Sequence, residues 1–161
     1  MIHFQISSMK AYHLKQVVQL EELIKQPQKS SDNYEIKSNR HRAFLNWRNQ
    51  DKSLSKVIEV NNEIIAFYHL LLDPTLVQSF YFNEFLVNIR HSYLAQISIK
   101  QNFQNQGVGK FLLEDIYKES TLHNKEKVIL EVNSNTKAFI FYKNQNFKEL
   151  ESQVFMSKNL I

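Results

Sequence analysis

The chain has no cysteine, two prolines and two glycines in 161 residues. Without cysteine, disulfides and cysteine-based metal sites are excluded. No apolar run approaches the roughly 18 residues of a membrane span. The start, "MIHFQISSMK", lacks the basic stretch and apolar core of a signal peptide. The expectation is therefore a soluble cytoplasmic protein with no membrane partner. No block of five like charges occurs, so a nucleic-acid-binding tail is not indicated. Internal repeats and low-complexity tracts are also absent. Glycine is the sharpest deficit, because average usage would supply roughly eleven. Both glycines fall in one short stretch, at Gly107 and Gly109.

Apolar residues are plentiful. They make up 43% of the chain, with twelve Phe and seven Tyr, enough for a sizeable core. The length suits a single domain spanning 1–161. The net charge of +4 favours an anionic partner, without choosing between a phosphate-bearing cofactor, nucleic acid and an acidic protein. The six histidines, His3, His13, His41, His69, His91 and His123, show no metal-ligand spacing, so no metal is expected.

Hydrophobic periodicity predicts the elements. "FQIS" reads as a short strand. Residues 11–26 carry helical spacing, with Leu14, Val17, Val18, Leu20, Leu23 and Ile24 on one side, and stop before Pro27. The polar run 27–38 reads as a loop and 40–49 as a second short helix. Strands follow at 53–60 and 64–72, joined by Asn61-Asn62, since Asn tolerates the positive φ of a hairpin turn. Residues 75–91 read either as a strand extension or as an insertion with its own short helix; their aromatics, Phe80, Tyr81, Phe82 and Phe85, suit a core. A strand at 93–99, a helix at 107–123, a strand at 127–132, a helix at 135–145 and one or two final strands complete the chain. The order is βααβββαβαββ, an α/β (α+β) pattern in which helices flank a mixed central sheet.

The glycines lie between a strand and a helix, in "QNQGVGK" (104–110). A helix start presents N–H groups without internal acceptors, its dipole favours negative charge, and glycine admits close approach of a ligand. Together these suit a phosphate group. A tight strand–helix connection would also use glycine. The Walker A pattern, the dinucleotide fingerprint and G-x-S-x-G are all absent.

A further pattern fits. Gln104-x-x-Gly107-x-Gly109 matches the Q/R-x-x-G-x-G/A motif, and "ISIKQNFQNQGVGKFLL" resembles the strand–loop–helix of the GNAT acyltransferases. The later segment "LEVNSNTKAFIFYKNQNF" is similar to the family's LEV…N-x-x-A-x-x-x-Y-x-x-x-G-F, with Asn135, Ala138, Tyr142 and Phe147 in matching places. "VFMSKNL" resembles the usual last strand. The match is good over 92–161 and compatible over 1–91. Asn146 stands where the family usually has glycine; Asn is the next best residue for a left-handed turn. The segment from Glu131 to Asn135 is one residue shorter than in the ribosomal-protein N-terminal acetyltransferases, which makes their substrate a poor direct transfer.

The resemblance implies the GNAT acyl-CoA N-acyltransferase fold, acetyl-CoA as co-substrate, and direct transfer of an acetyl group to an amine. Such a reaction needs cofactor placement, oxyanion stabilisation and proton traffic. For placement, the resemblance points to the strand edge Ile97, Ser98 and Ile99 for the pantetheine amides. The loop residues Gln104, Asn105, Gln106, Gly107, Val108, Gly109 and Lys110 would take the pyrophosphate. Asn135 and Ala138 are further cofactor-binding positions, with a plain helix N-cap as the other reading of Asn135. Tyr142 matches the tyrosine that protonates the departing thiolate; a core tyrosine is the other reading. Glu131 aligns with the base of some relatives or is a structural carboxylate. Glu84 and His91 are weaker candidates, and a water relay without a dedicated base is also open. Tyr93 and Gln96 stand where other relatives place a carboxylate.

Two other classes stay in view. A CoA-binding regulatory module without catalysis would share the motif, and a basic nucleic-acid-binding protein would share the charge, though no basic stripe supports it. Family members often form homodimers, and the resemblance leaves that open. The acceptor side is expected from residues 11–50 and 73–91, whose mixed charges select no substrate among peptide N-termini, small amines and amino sugars.

Overall fold

The computed structural model describes residues 4–24, 34–76, 88–150 and 155–160. In chain order the elements are β1 (Ile6–Ser8), α1 (Leu14–Ile24), α2 (Tyr34–Arg48), β2 (Ser53–Val60), β3 (Glu63–Leu71), β4 (His91–Ile99), α3 (Val108–Leu122), β5 (Lys127–Glu131), α4 (Lys137–Asn144), β6 (Lys148–Glu149) and β7 (Phe155–Asn159). This is the βααβββαβαββ order of the sequence reading. Short 3-10 turns at Ala11–His13, Pro74–Leu76 and Gln101–Phe103 precede α1, follow β3 and open the glycine loop. The strands are ordered β1-β2-β3-β4-β5-β7-β6. The β4–β5 pair is parallel, and β1–β2, β5–β7 and β6–β7 are antiparallel.

The chain falls into two compact units. The first comprises Met1–His69 with Gln96–Leu112. Its core gathers Met9, Leu14, Val17, Leu20, Leu45, Val57, Ile64 and Phe67. The β2–β3 hairpin turns through Asn61 and Asn62, whose φ values of 51° and 64° are both left-handed, the primed turn that matches strand twist. Gln16 of α1 braces this turn, accepting from Ile64 N–H at 2.8 Å and donating to the Asn62 carbonyl.

One element differs from expectation. Residues 34–38 are helical, so α2 begins before position 40, within the stretch read as a loop; residues 27–33 lie outside the described set. Within that stretch Lys37 pairs with Glu22 of α1 at 3.1 Å, and further along α2 Arg40 and His41 both bond Glu21. A helix that faces ion-pair partners needs no apolar stripe at its start.

The second unit comprises Leu70–Ala95 with Leu113–Ile161. Leu113 and Ile116 of α3, Val128, Ile129 and Leu130 of β5, and Tyr142 and Phe147 are buried in it. The uncertain span 75–91 is described at its ends alone: Pro74–Leu76 is a 3-10 turn, and 77–87, with Glu84 and the aromatics Phe80, Tyr81, Phe82 and Phe85, lies outside the described residues.

Candidate functional site

The predicted cofactor residues 97–110 all fall in the first unit. Pairing of β4 with β5 ends at Leu94, while β4 runs on to Ile99. Ile97 and Ile99 are half-buried and Ser98 is buried. Just beyond, Lys100 N–H donates to the Ile65 carbonyl of β3, and its ammonium pairs with Glu63.

The loop is braced by its own glutamines. The Gln104 side chain donates to the Ile99 carbonyl at 3.0 Å, tying the loop to the strand end. The Gln106 side chain donates to the Asn102 carbonyl at 2.7 Å. Two residues take left-handed backbone, Asn105 at φ 59° and Gly107 at φ 83°. A Cβ added to Gly107 would meet nothing within 4 Å. The space beside Gly107 is open, and its φ disfavours any L side chain. The glycine therefore serves the turn, and it also leaves a bare backbone face.

Gly107 caps α3: its carbonyl accepts from Phe111 N–H at 3.0 Å, the first bond of the helix. The N–H groups of Val108, Gly109 and Lys110 accordingly have no acceptor within the helix. Gly107 and Lys110 are exposed and Gly109 is half-buried. Gly109 stands in the first turn of α3.

The remaining predicted residues, Glu131, Asn135, Ala138 and Tyr142, belong to the second unit. Glu131 ends β5 and is exposed. Between it and α4, Asn133 organises the turn: its side chain accepts from Asn135 N–H, and its carbonyl accepts from the Thr136 N–H and hydroxyl. The cap of α4 is Thr136, whose hydroxyl accepts from Phe139 N–H at 3.3 Å. Asn135 is therefore not the N-cap, and its exposed side chain makes no hydrogen bond to a described residue. Ala138 is exposed on the first turn of α4.

Tyr142 is 5% exposed, with Phe141 and Phe147 rings each 5.3 Å away. Burial, and then the neighbouring Tyr117, push its phenol well above the ordinary value. It stays protonated throughout the physiological range. The helix that carries it closes with a Schellman motif: Phe147 N–H bonds the Tyr142 carbonyl and Asn146 N–H the Lys143 carbonyl, both at 3.0 Å. Asn146 sits at φ 64°, as the Asn-for-Gly exchange required.

Of the other acid–base candidates, His91 is buried at the start of β4. Tyr93 is buried two residues later, and burial followed by the Glu131 charge raises its pKa to about 12. Gln96 is half-buried. Trp47 is half-buried with an edge-on contact to Phe44. Sequence reasoning missed Tyr117, whose buried hydroxyl has no partner among the described residues. It was visible only as one more apolar position on a helix.

Comparison with known proteins supplies the family. The Acetyltransferase (GNAT) family model matches residues 15–147. No curated protein matches the sequence. Among solved structures, the PaiA N-acetyltransferase of Thermoplasma acidophilum, in complex with coenzyme A, aligns with a TM-score of 0.75 at 17% identity, covering 98% of this chain and 99% of that one. An N-acetyltransferase from Staphylococcus aureus Mu50 aligns at 0.73 and 12% identity, covering 99% and 100%. The ribosomal-protein-S18-alanine N-acetyltransferase of Escherichia coli aligns at 0.70 and 17% identity, covering 98% and 94%. At these identities the likeness is one of fold. No helix among the described residues is long and apolar enough to cross a membrane.

Proposed function

This chain belongs to the GNAT family of acetyltransferases, and from that premise we propose that it transfers an acetyl group from acetyl-CoA to a primary amine, either a small molecule or a peptide or protein N-terminus. The observation that carries the cofactor assignment is the start of α3. Free N–H groups at Val108, Gly109 and Lys110 follow a left-handed Gly107 with open space where a Cβ would stand. Such a cradle fits a pyrophosphate. Gln104, bonded to the Ile99 carbonyl, acts by holding the loop, with Asn105 and Gln106 shaping it.

The stretch Ile97–Ile99, beyond the last β5 partner, offers backbone groups to the pantetheine amides. Asn135, freed from capping by Thr136, and the small Ala138 are further proposed cofactor positions. When bound, acetyl-CoA supplies an activated thioester. The chain's part is to position it, to take a proton from the amine and to stabilise the departing sulfur. Glu131, exposed at the end of its strand, is the proposed proton acceptor. Tyr142 is the proposed donor. Its raised pKa makes full proton loss to a thiolate, whose conjugate acid ionises near 8.5, unfavourable. Its role is then a hydrogen bond to the sulfur.

Thiol release from acetyl-CoA across a panel of amines and peptides tests the reading. Acceptor-dependent release is expected. Tight CoA binding without turnover on a broad panel would replace the enzyme with a CoA-binding module.

A further inference from the structure

The first unit buries a continuous polar chain. Ser55 Oγ lies 2.7 Å from His69 Nδ1, His69 Nε2 lies 2.8 Å from His41 Nδ1, and His41 Nε2 lies 2.9 Å from a Glu21 carboxylate oxygen. Arg40, partly exposed, donates to the other Glu21 oxygen at 3.1 Å. Ser55, His69, His41 and Glu21 are each at most 1% exposed. They come from β2, β3, α2 and α1, so one chain ties both helices to the hairpin. Phe44 stacks on the His69 ring at 4.2 Å, and Phe67 packs edge-on against both imidazoles.

The donors and acceptors allow one full pattern with both imidazoles neutral. The Ser55 hydroxyl donates to His69 Nδ1, His69 Nε2–H to His41 Nδ1, and His41 Nε2–H to Glu21. One added proton reverses the middle of the chain. His41 then carries two protons, His69 must move its own to Nδ1, and the Ser55 hydroxyl loses its acceptor. A second added proton sets two N–H groups against each other across 2.8 Å. The groups facing the imidazoles are Glu21 from α1, Arg40 from α2 through Glu21, and the neutral Ser55 from β2; the Glu22–Lys37 pair also bridges α1 and α2. Burial, and then His41, hold the His69 pKa well below the ordinary value, against the opposing pull of Glu21.

We propose that Glu21, His41, His69 and Ser55 form an acid-labile clamp that fastens α1 and α2 to the β2–β3 hairpin. It is closed while the two imidazoles share at most one added proton and opens as pH falls through the histidine range. The opened segment takes protons on both imidazoles near the ordinary value of about 6.5, whereas the closed clamp takes at most one. The stabilisation is fully present above that pH and is lost as pH falls toward the lower folded value of His69. Each proton withheld raises the opening equilibrium about tenfold per pH unit. The clamp does not depend on the acetyl-transfer reading.

The test compares the full chain with its His69→Gln variant, which keeps a donor and an acceptor but does not titrate. Hydrogen exchange of the α2 amides is followed from about pH 7.5 to about pH 5, alongside NMR titration of the histidine rings. After correction for intrinsic exchange, protection should fall about tenfold more per pH unit below 6.5 in the wild type than in the variant. His41 and His69 together should take up at most one proton while folded. Equal pH dependence in both proteins, or two imidazoles titrating independently near 6.5 in the folded chain, overturns the proposal. Should His69→Gln fail to fold, the wild-type ring titration decides alone.

Discussion

Gly107 carries two demands at once. Its φ of 83° is a backbone requirement, and the empty space at its Cβ position is a ligand opportunity. Substitutions separate them. Gly107→Asn, which tolerates left-handed backbone, should fold normally, while Gly107→Ala should lose about 1–2 kcal/mol in denaturant unfolding. Tyr142→Phe removes one hydroxyl from a buried ring. If the phenol bonds the departing sulfur, kcat should fall by roughly 100-fold with KM for acetyl-CoA little changed. An unchanged kcat in steady-state assays would return Tyr142 to the core. At this scale the sequence was partly legible. Asn146 was readable because a short list of residues accepts positive φ. Asn105, equally left-handed, was not, since nothing local marks one Asn among many. The displacement of the N-cap from Asn135 to Thr136 turns on which hydroxyl or amide reaches Phe139 N–H, a choice of one residue that composition does not make.

At the scale of elements, α4 is the test case, because both its ends are closed by specific chemistry. Thr136→Ala should cost about 1 kcal/mol in thermal or chemical unfolding. Asn146→Gly should be neutral or stabilising, whereas Asn146→Ala should cost about 1 kcal/mol at its left-handed position. A neutral Asn146→Ala would show that the Schellman turn does not hold the helix end. The start of α2 marks the limit of periodicity as a guide. Lys37 falls in the polar run that reads as a loop, and it is helical where Glu22 of α1 answers it, one turn before Arg40 and His41 meet Glu21. That pairing joins positions 15 to 20 residues apart and leaves no local trace. By contrast, Asn61-Asn62 was legible because a hairpin turn is decided by the two residues within it.

For the whole molecule, the order of elements followed from the sequence, and the family model matches residues 15–147, a span that includes both motifs. What did not follow was the buried chain through His41 and His69, whose rings meet across 28 positions of sequence. Two imidazoles with no ligand spacing gave no reason to be placed together. Their burial and that of His13 lower the pKa of His69 and His13, so the folded chain binds fewer protons than the unfolded one below the ordinary histidine value. Global stability should therefore decline as pH falls from about 7 toward about 5, measured by urea unfolding at each pH. Flat stability over that interval would contradict it. Cofactor binding should act on the same equilibrium from the other side: CoA at 100 times its Kd should add about 2.7 kcal/mol of stability.

The central claim is that the start of α3 seats the pyrophosphate, and calorimetric titration of CoA tests it most directly. Wild type and Gly107→Asn should both fold, and the wild type should bind CoA saturably. Gly107→Glu, checked for an intact fold by circular dichroism, should bind at least about 100-fold more weakly, a loss of about 2.7 kcal/mol. Equal affinity in the wild type and a folded Gly107→Glu would contradict the account.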